Sequence, residues 1–157
     1  MDTISHALYG KGLFGYKKYS WASFVFGAIP DLASFGIYFI FQLIFHTEGF
    51  EFGRPTVEEI PFWVYRLYDV SHSLITASIF IAVGYVINKD FAWVMLGWPV
   101  HIIIDFFTHS IDFFPTPIFW PVSDFRFDGI PWANPYILAA NLLLLFLIFI
   151  TRWRTKP

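Results

Sequence analysis

The sequence contains no cysteine and carries little charge. Only 14% of its 157 residues are Asp, Glu, Lys or Arg, whereas a soluble domain carries about 25%. The lack of cysteine excludes disulfides and thiolate metal sites. The scarcity of charge leaves too few polar side chains to coat a water-exposed surface, which favours an integral membrane protein. The formal net charge of −2 gives no basis for expecting a nucleic-acid partner.

Apolar residues dominate instead, at 57% of the chain, and 23% of all residues are aromatic. Four apolar segments approach the ~20 residues that cross a bilayer, and they span residues 21–45, 71–87, 91–108 and 136–153. A short, mildly amphipathic segment, Asp2 to Gly15, precedes them and either lies at the interface or packs against the bundle. We therefore expect one all-α membrane domain, residues 1–157, with about four transmembrane helices, a short N-terminal helix, and long loops at 46–60 and 110–135.

The basic residues predict the orientation of this bundle. They flank the first span (Lys11, Lys17, Lys18), the turn between the second and third (Lys89), and the end of the fourth (Arg152, Arg154, Lys156). The two long loops contain only Arg54 and Arg126. Because cytoplasmic segments are enriched in Lys and Arg, we expect both termini to be cytoplasmic and both long loops to face the other side.

The third apolar segment contains His101, Asp105 and His109 at positions i, i+4 and i+8. This spacing places the three side chains along one face of a helix. Ionisable residues within a membrane segment are costly, about 2.5–3.5 kcal/mol each on insertion scales, and are usually functional. Imidazole and carboxylate at helical spacing form a pattern that binds divalent metals.

Ionisable residues of the other spans extend this pattern. Asp31 follows Pro30 in the first span, and Asp69 and His72 begin the second. Each also has a structural alternative: a histidine can bond a neighbouring helix, Asp31 can cap a helix restarted after the proline, and Asp69 can act as an N-cap or an interfacial charge. Taken together, they predict a shared metal site, for which nitrogen and carboxylate ligands favour zinc, with manganese and iron as alternatives.

Five motifs along the chain support this interpretation. They are Asp2-Thr-Ile-Ser-His6-Ala-Leu-Tyr-Gly10, Gly27-Ala-Ile-Pro-Asp31, Ser71-His72-Ser73, His101-x-x-x-Asp105-x-x-Thr108, and the aromatic loop from Pro115 to Phe127 containing Arg126. In this order they resemble the YdjM-like, LexA-regulated inner-membrane proteins, which are regarded as metal-dependent hydrolases. Many members have His-Arg-Gly before the second-span histidine, where this chain has Leu67-Tyr68-Asp69.

The resemblance implies a bacterial or archaeal inner-membrane hydrolase. Its candidate metal ligands are His6, Asp31, His72, His101 and Asp105, and His6 enters this set through the resemblance alone. In such an enzyme Asp69 or His109 could act as a base or support a ligand. Arg126 could hold a phosphate or carboxylate, or could serve only as an interfacial anchor.

A site among apolar helices favours a lipid or another amphiphilic substrate, such as a phosphoester. Two other functions use the same residue types. A transporter or proton relay also places His and Asp in a membrane cavity, although such proteins usually contain inverted repeats and this chain shows none. A non-catalytic membrane protein could use the same residues for a structural metal.

Overall fold

The computed structural model describes residues 1–45 and 56–154, and all regular elements within these ranges are helical. They are α1 (Thr3–Phe14), α2 (Ser20–Asp31), α3 (Ile37–Phe45), α4 (Phe62–Ser71), α5 (Leu74–Ile87), α6 (Lys89–Met95), α7 (Gly97–Thr108) and α8 (Pro135–Arg154). A π-helical turn, Leu32–Gly36, joins α2 to α3, and a 3₁₀ turn, Val57–Glu59, precedes α4. The expected all-α class is confirmed.

Three helical stretches are long and apolar enough to cross a membrane: Ser20–Phe45, Lys89–Thr108 and Pro135–Arg154. Helices α4 and α5, which are bent by 53° at a short break, supply a fourth if the pair acts as one span. Large apolar side chains of α8, among them Leu142 and Phe146, are exposed on the outside of the bundle. This distribution is compatible with an integral membrane protein. Of the predicted 46–60 loop, residues 46–55 lie outside the described residues, as do Arg54 and Lys156.

Helix α1 packs into the bundle because glycines allow its backbone to approach α2 closely. A Cβ atom added at Gly10 would lie 2.2 Å from the Ser23 carbonyl oxygen, and one at Gly27 would lie 2.3 Å from the His6 carbonyl oxygen. Thr3 contacts Asp31, farther along α2. Residues later in α1 therefore contact residues earlier in α2, so the two helices are antiparallel and α1 begins beside Asp31.

The first span remains helical through Pro30, although proline removes one backbone donor. The π-helical turn follows at once, and the Ser34 hydroxyl donates to the Pro30 carbonyl at 2.9 Å. Asp31 has helical backbone angles and makes no capping hydrogen bond to this turn. Asp69 lies inside α4, near its end. The alternatives in which Asp31 and Asp69 cap helix N-termini are therefore wrong.

The long aromatic loop covers the end of α7. The backbone nitrogens of Gly129, Ile130 and Trp132 donate to the carbonyls of His109, Phe107 and Thr108, respectively. These bonds satisfy acceptors that a helix C-terminus otherwise leaves without partners. The loop also accepts a bond at Ile118 from the nitrogen of Leu74, at the start of α5. It thus joins the end of α7, which carries His101 and Asp105, to the start of α5, which follows His72.

Candidate metal centre

Four candidate ligands from three helical regions converge inside the bundle. Asp31 comes from the end of α2, His72 from the break between α4 and α5, and His101 and Asp105 from α7. One ligand atom from each lies within 4.8 Å of all the others. His72, His101 and Asp105 are buried, while the Asp31 side chain is 13% exposed. The group is therefore closed on three sides and open towards Asp31.

Local sequence explains how each side chain reaches this point. His101 and Asp105 are one turn apart on α7, so their side chains point the same way, with Nε2 and Oδ2 3.1 Å apart. His72 occupies the break because Ser73 begins a new helix by accepting hydrogen bonds from the nitrogens of Ile75 and Thr76. The bend between α4 and α5 turns His72 towards α7.

Backbone carbonyls orient both imidazole rings of the cluster. His101 Nδ1 donates to the Gly27 carbonyl at 2.7 Å, and His72 Nδ1 lies 3.2 Å from the Tyr68 carbonyl. Because a carbonyl oxygen only accepts, His101 Nδ1 carries the proton in its neutral ring, which leaves a lone pair on Nε2. His72 Nδ1 also lies 3.0 Å from the Ser71 hydroxyl, which can donate to it, so either nitrogen of the His72 ring can carry the proton. The two Nε2 atoms face each other at 3.2 Å.

Carboxylate oxygens complete this set of electron-pair donors. Asp31 Oδ1 lies 3.6 Å from His72 Nε2 and 3.5 Å from His101 Nε2. Asp105 Oδ2 is buried and has no hydrogen-bond partner within the described residues. Such a buried acceptor is unfavourable unless something compensates it. Two imidazole nitrogens and two carboxylate oxygens form a set that could hold a divalent metal, with zinc, manganese or iron as the chemically suitable ions.

His6 lies directly behind this group. Its Nε2 is 2.8 Å from Asp105 Oδ1, which also contacts the Met1 nitrogen, and its ring stacks on His101 with centroids 3.6 Å apart. Burial lowers the pKa of His6 to about 4, so its ring is neutral at pH 7. A neutral ring whose Nε2 donates to Asp105 would orient that carboxylate. The role of His6 as a ligand stays a prediction.

His109 and Tyr68 border the cluster on the side of the aromatic loop. His109 Nδ1 is 3.6 Å from Asp105 Oδ2 and 3.3 Å from the Tyr68 hydroxyl, and burial lowers the pKa of His109 to about 4. The Tyr68 ring stacks on His72 at 3.7 Å, and its hydroxyl donates to the Phe114 carbonyl at 2.8 Å. The sequence interpretation missed Tyr68, although its i, i+4 spacing from His72 was a signal.

Thr3 is a second polar neighbour that was not singled out by itself. Its hydroxyl donates to Asp31 Oδ2 at 2.7 Å and so fixes the partly exposed carboxylate. Thr3 lies within the N-terminal motif from Asp2 to Gly10, which also contains His6. This position is the signal that could have identified it.

Asp69 and Arg126 pair with each other. Arg126 Nη2 is 3.0 Å from Asp69 Oδ1, and Arg126 Nη1 donates to the Pro115 carbonyl at 2.9 Å. Within the described residues, no hydrogen bond or ion pair joins either side chain to the four clustered residues. In this arrangement the pair ties the aromatic loop to α4.

A cavity of about 440 Å³ opens beside the cluster. Its polar lining residues are Asp2, Thr3, Asp31, Tyr68 and His109, of which Asp31 belongs to the cluster, and we call this part of the wall its polar end. The rest of the wall is mainly apolar and aromatic, with contributions from Phe35, Phe39, Phe113, Phe114 and Trp132. The cavity therefore combines a polar end at the cluster with a surface suited to hydrocarbon.

Comparison with known proteins gives no relative for this chain: no family model, curated protein or solved structure matches it. The likeness to the YdjM-like proteins therefore rests on the five sequence motifs alone.

Proposed function

We propose that the protein is a membrane-embedded, metal-dependent hydrolase whose substrate is an amphiphilic ester, with lipids and phosphoesters as the leading classes. The observation that carries this proposal is the convergence of two imidazole Nε2 atoms and two carboxylates in a group of which three members are buried. The proposal includes membership of the YdjM-like family, which the order of the five sequence motifs supports.

The residues present fit a divalent ion. Asp31, His72, His101 and Asp105 would hold it, and the unpartnered Asp105 Oδ2 would gain a positive partner. When bound, a divalent ion supplies Lewis acidity and lowers the pKa of a coordinated water towards about 7. Among the neighbours, His6 would orient Asp105, and Thr3 would orient Asp31.

The adjacent cavity provides the argument for an amphiphilic substrate. Its apolar wall would bury a hydrocarbon portion, while its polar end would place the scissile group beside Asp31 and His109. His109 is partly buried and its ring is neutral at pH 7, because burial lowers its pKa to about 4, so it could orient the scissile group or a water by a hydrogen bond. A structural metal site needs no such opening, and this feature favours catalysis.

Metal analysis of the purified protein is the first test. We expect the wild-type protein to retain a transition metal, and His101→Ala and Asp105→Asn to lose it. Asp90→Asn is the matched control, because Asp90 is 47% exposed and pairs with Lys18 at the surface. Equal metal content in wild type and Asp105→Asn would contradict the metal centre.

Hydrolysis assays then separate an enzyme from a structural site. Short-chain phospholipids and chromogenic phosphodiesters should be cleaved by the metal-loaded protein, and cleavage should disappear in Asp105→Asn while remaining in Asp90→Asn. Retained metal without cleavage of any ester would favour a structural metal, and metal-dependent ion flux in proteoliposomes would favour the transporter.

A further inference from the structure

A second cavity, of about 850 Å³, lies between the end of α1 and the last turns of α8. It shares no lining residue with the cavity beside the metal cluster. Three cationic residues, Lys11, Lys17 and Arg152, line it, and no Asp or Glu is among its described lining residues. The cavity is therefore positively charged, with no acidic side chain in its wall.

The fold holds these three cations in place by other contacts. The Lys11 ammonium donates to Ser20 Oγ at 2.6 Å, and the Arg152 guanidinium donates to the Lys11 carbonyl. The Lys17 ammonium lies 4.4 Å from the centre of the Trp93 ring. Burial, together with the nearby Arg152 charge, lowers the pKa of Lys11. The charges are thus gathered at one place and are not spread over a solvated surface.

The remaining lining is amphipathic and suits a membrane interface. Ile148 and Phe149 line the cavity from within the apolar α8, while Tyr16 and Trp153 supply aromatic rings near its end. Trp153 is 75% exposed. Tryptophan and tyrosine favour the headgroup level of a bilayer, and the excess of Lys and Arg predicts that this is the cytoplasmic level.

We propose that this cavity binds the phosphate headgroup of an anionic phospholipid, whose acyl chains would follow the apolar surface of α8. Basic cavities between helix ends on the cytoplasmic side have the charge and position for such headgroups. A phosphate would accept hydrogen bonds from Lys and Arg side chains, and its negative charge would offset part of the positive charge of the three residues. This proposal does not depend on the metal centre.

Lys17→Gln is the most direct test, since Lys17 lines the cavity without capping another residue's backbone in the contacts described above. The full-length protein in neutral detergent would be titrated with phosphatidylglycerol or phosphatidylcholine, and bound lipid would be counted by native mass spectrometry. We expect wild type to prefer phosphatidylglycerol, Lys17→Gln to bind it about fivefold more weakly, and Lys17→Arg to retain binding.

Lys18→Gln is the matched control. It makes the same charge change one residue away, but Lys18 is 75% exposed, pairs with Asp90 at 3.2 Å and does not line the cavity. Unchanged thermal unfolding midpoints would exclude misfolding as the cause of weaker binding. Equal affinity for the two lipids, or an equal loss in Lys18→Gln, would overturn the proposal. Displacement of the lipid by inorganic phosphate at equal concentration would identify a free-anion site and would also overturn it.

Discussion

Asp105 takes part in most of the polar contacts of the candidate metal centre. One of its oxygens receives the His6 bond, and the other faces both Nε2 atoms of the cluster. These two oxygens differ: Oδ1 is already hydrogen-bonded, whereas Oδ2 has no hydrogen-bond partner among the residues that the structure describes. If the site binds a metal, we expect Oδ2 to be the ligand atom and His6 to set the direction of the carboxylate.

His6→Ala tests that division of roles. We expect metal affinity to fall about 10–100-fold, the usual effect of losing an orienting partner, while the metal stoichiometry at saturation stays unchanged. Competition with a chromophoric chelator measures this affinity. A loss of the metal as complete as that in His101→Ala would instead make His6 a ligand.

Tyr68→Phe removes a hydroxyl and keeps the ring that stacks on His72. The buried Phe114 carbonyl then loses its donor, which should lower the free energy of unfolding by about 1–2 kcal/mol. Metal content should stay at the wild-type level, because the ring still supports His72. Denaturant unfolding in detergent and metal analysis check both parts. Loss of metal in this variant would place the hydroxyl within the metal centre itself.

At the scale of elements, the close crossing of α1 and α2 positions His6. Gly27→Ala would place a Cβ atom 2.3 Å from the His6 carbonyl oxygen, so the helices must separate. We expect a loss of about 1–3 kcal/mol of stability from overpacking, together with weaker metal binding. Gly36→Ala is the control, since its Cβ would make only ordinary contacts, with the Leu32 side chain at 3.4 Å and the Asp31 carbonyl oxygen at 3.8 Å. Equal losses of stability and metal binding in Gly27→Ala and Gly36→Ala would contradict the role of the close crossing of α1 and α2.

The ion pair between Asp69 and Arg126 is a second contact between elements, because it joins α4 to the aromatic loop. Asp69→Asn or Arg126→Gln should each cost about 1.5–3 kcal/mol, since a hydrogen bond between charged groups is lost. The double variant should cost little more than either single one. A double-mutant cycle of unfolding free energies measures this coupling. Additive losses would show that the two side chains act independently.

At the scale of the whole molecule, metal binding should stabilise the fold, because its ligands come from three separate helical regions. At a metal concentration about 100-fold above Kd, linkage gives about 2.7 kcal/mol. We therefore expect chelation to lower the Tm of the wild-type protein by about 5–10 °C. Asp105→Asn should show no such change, and thermal scans with and without chelator measure both. An equal fall in the Tm of Asp105→Asn would show that the chelator itself, and not the removal of a bound metal, destabilises the protein.

Much of the element pattern was predictable from the sequence. Long apolar runs can satisfy their backbone bonds in a membrane only as helices, and this rule locates the helical stretches 20–45, 89–108 and 135–154 to within a few residues. The π-helical turn after Asp31 and the division of the second span at His72 were not predictable. Both depend on how neighbouring helices pack, which composition does not reveal.

The candidate site was predictable from the sequence only where its residues share one helix. His101 and Asp105 share a helix face by spacing alone, so their proximity needed no tertiary information. For Asp69 and His109 the sequence predicted a base or a partner that supports a ligand; in the structure Asp69 pairs with Arg126, while His109 borders the cluster. The membrane orientation and the resemblance to YdjM-like proteins stay predictions.

The sequence by itself determined that the chain is helical and apolar, that its polar residues are few, and that no thiolate can bind a metal, because composition and periodicity are local properties. Only the tertiary structure decided which polar residues meet. Gly10 and Gly27 bring α1 against α2, the bend at His72 turns its ring towards α7, and carbonyls of Gly27 and Tyr68 fix both Nε2 atoms inward. These contacts join residues distant in the chain, and packing alone sets their distances.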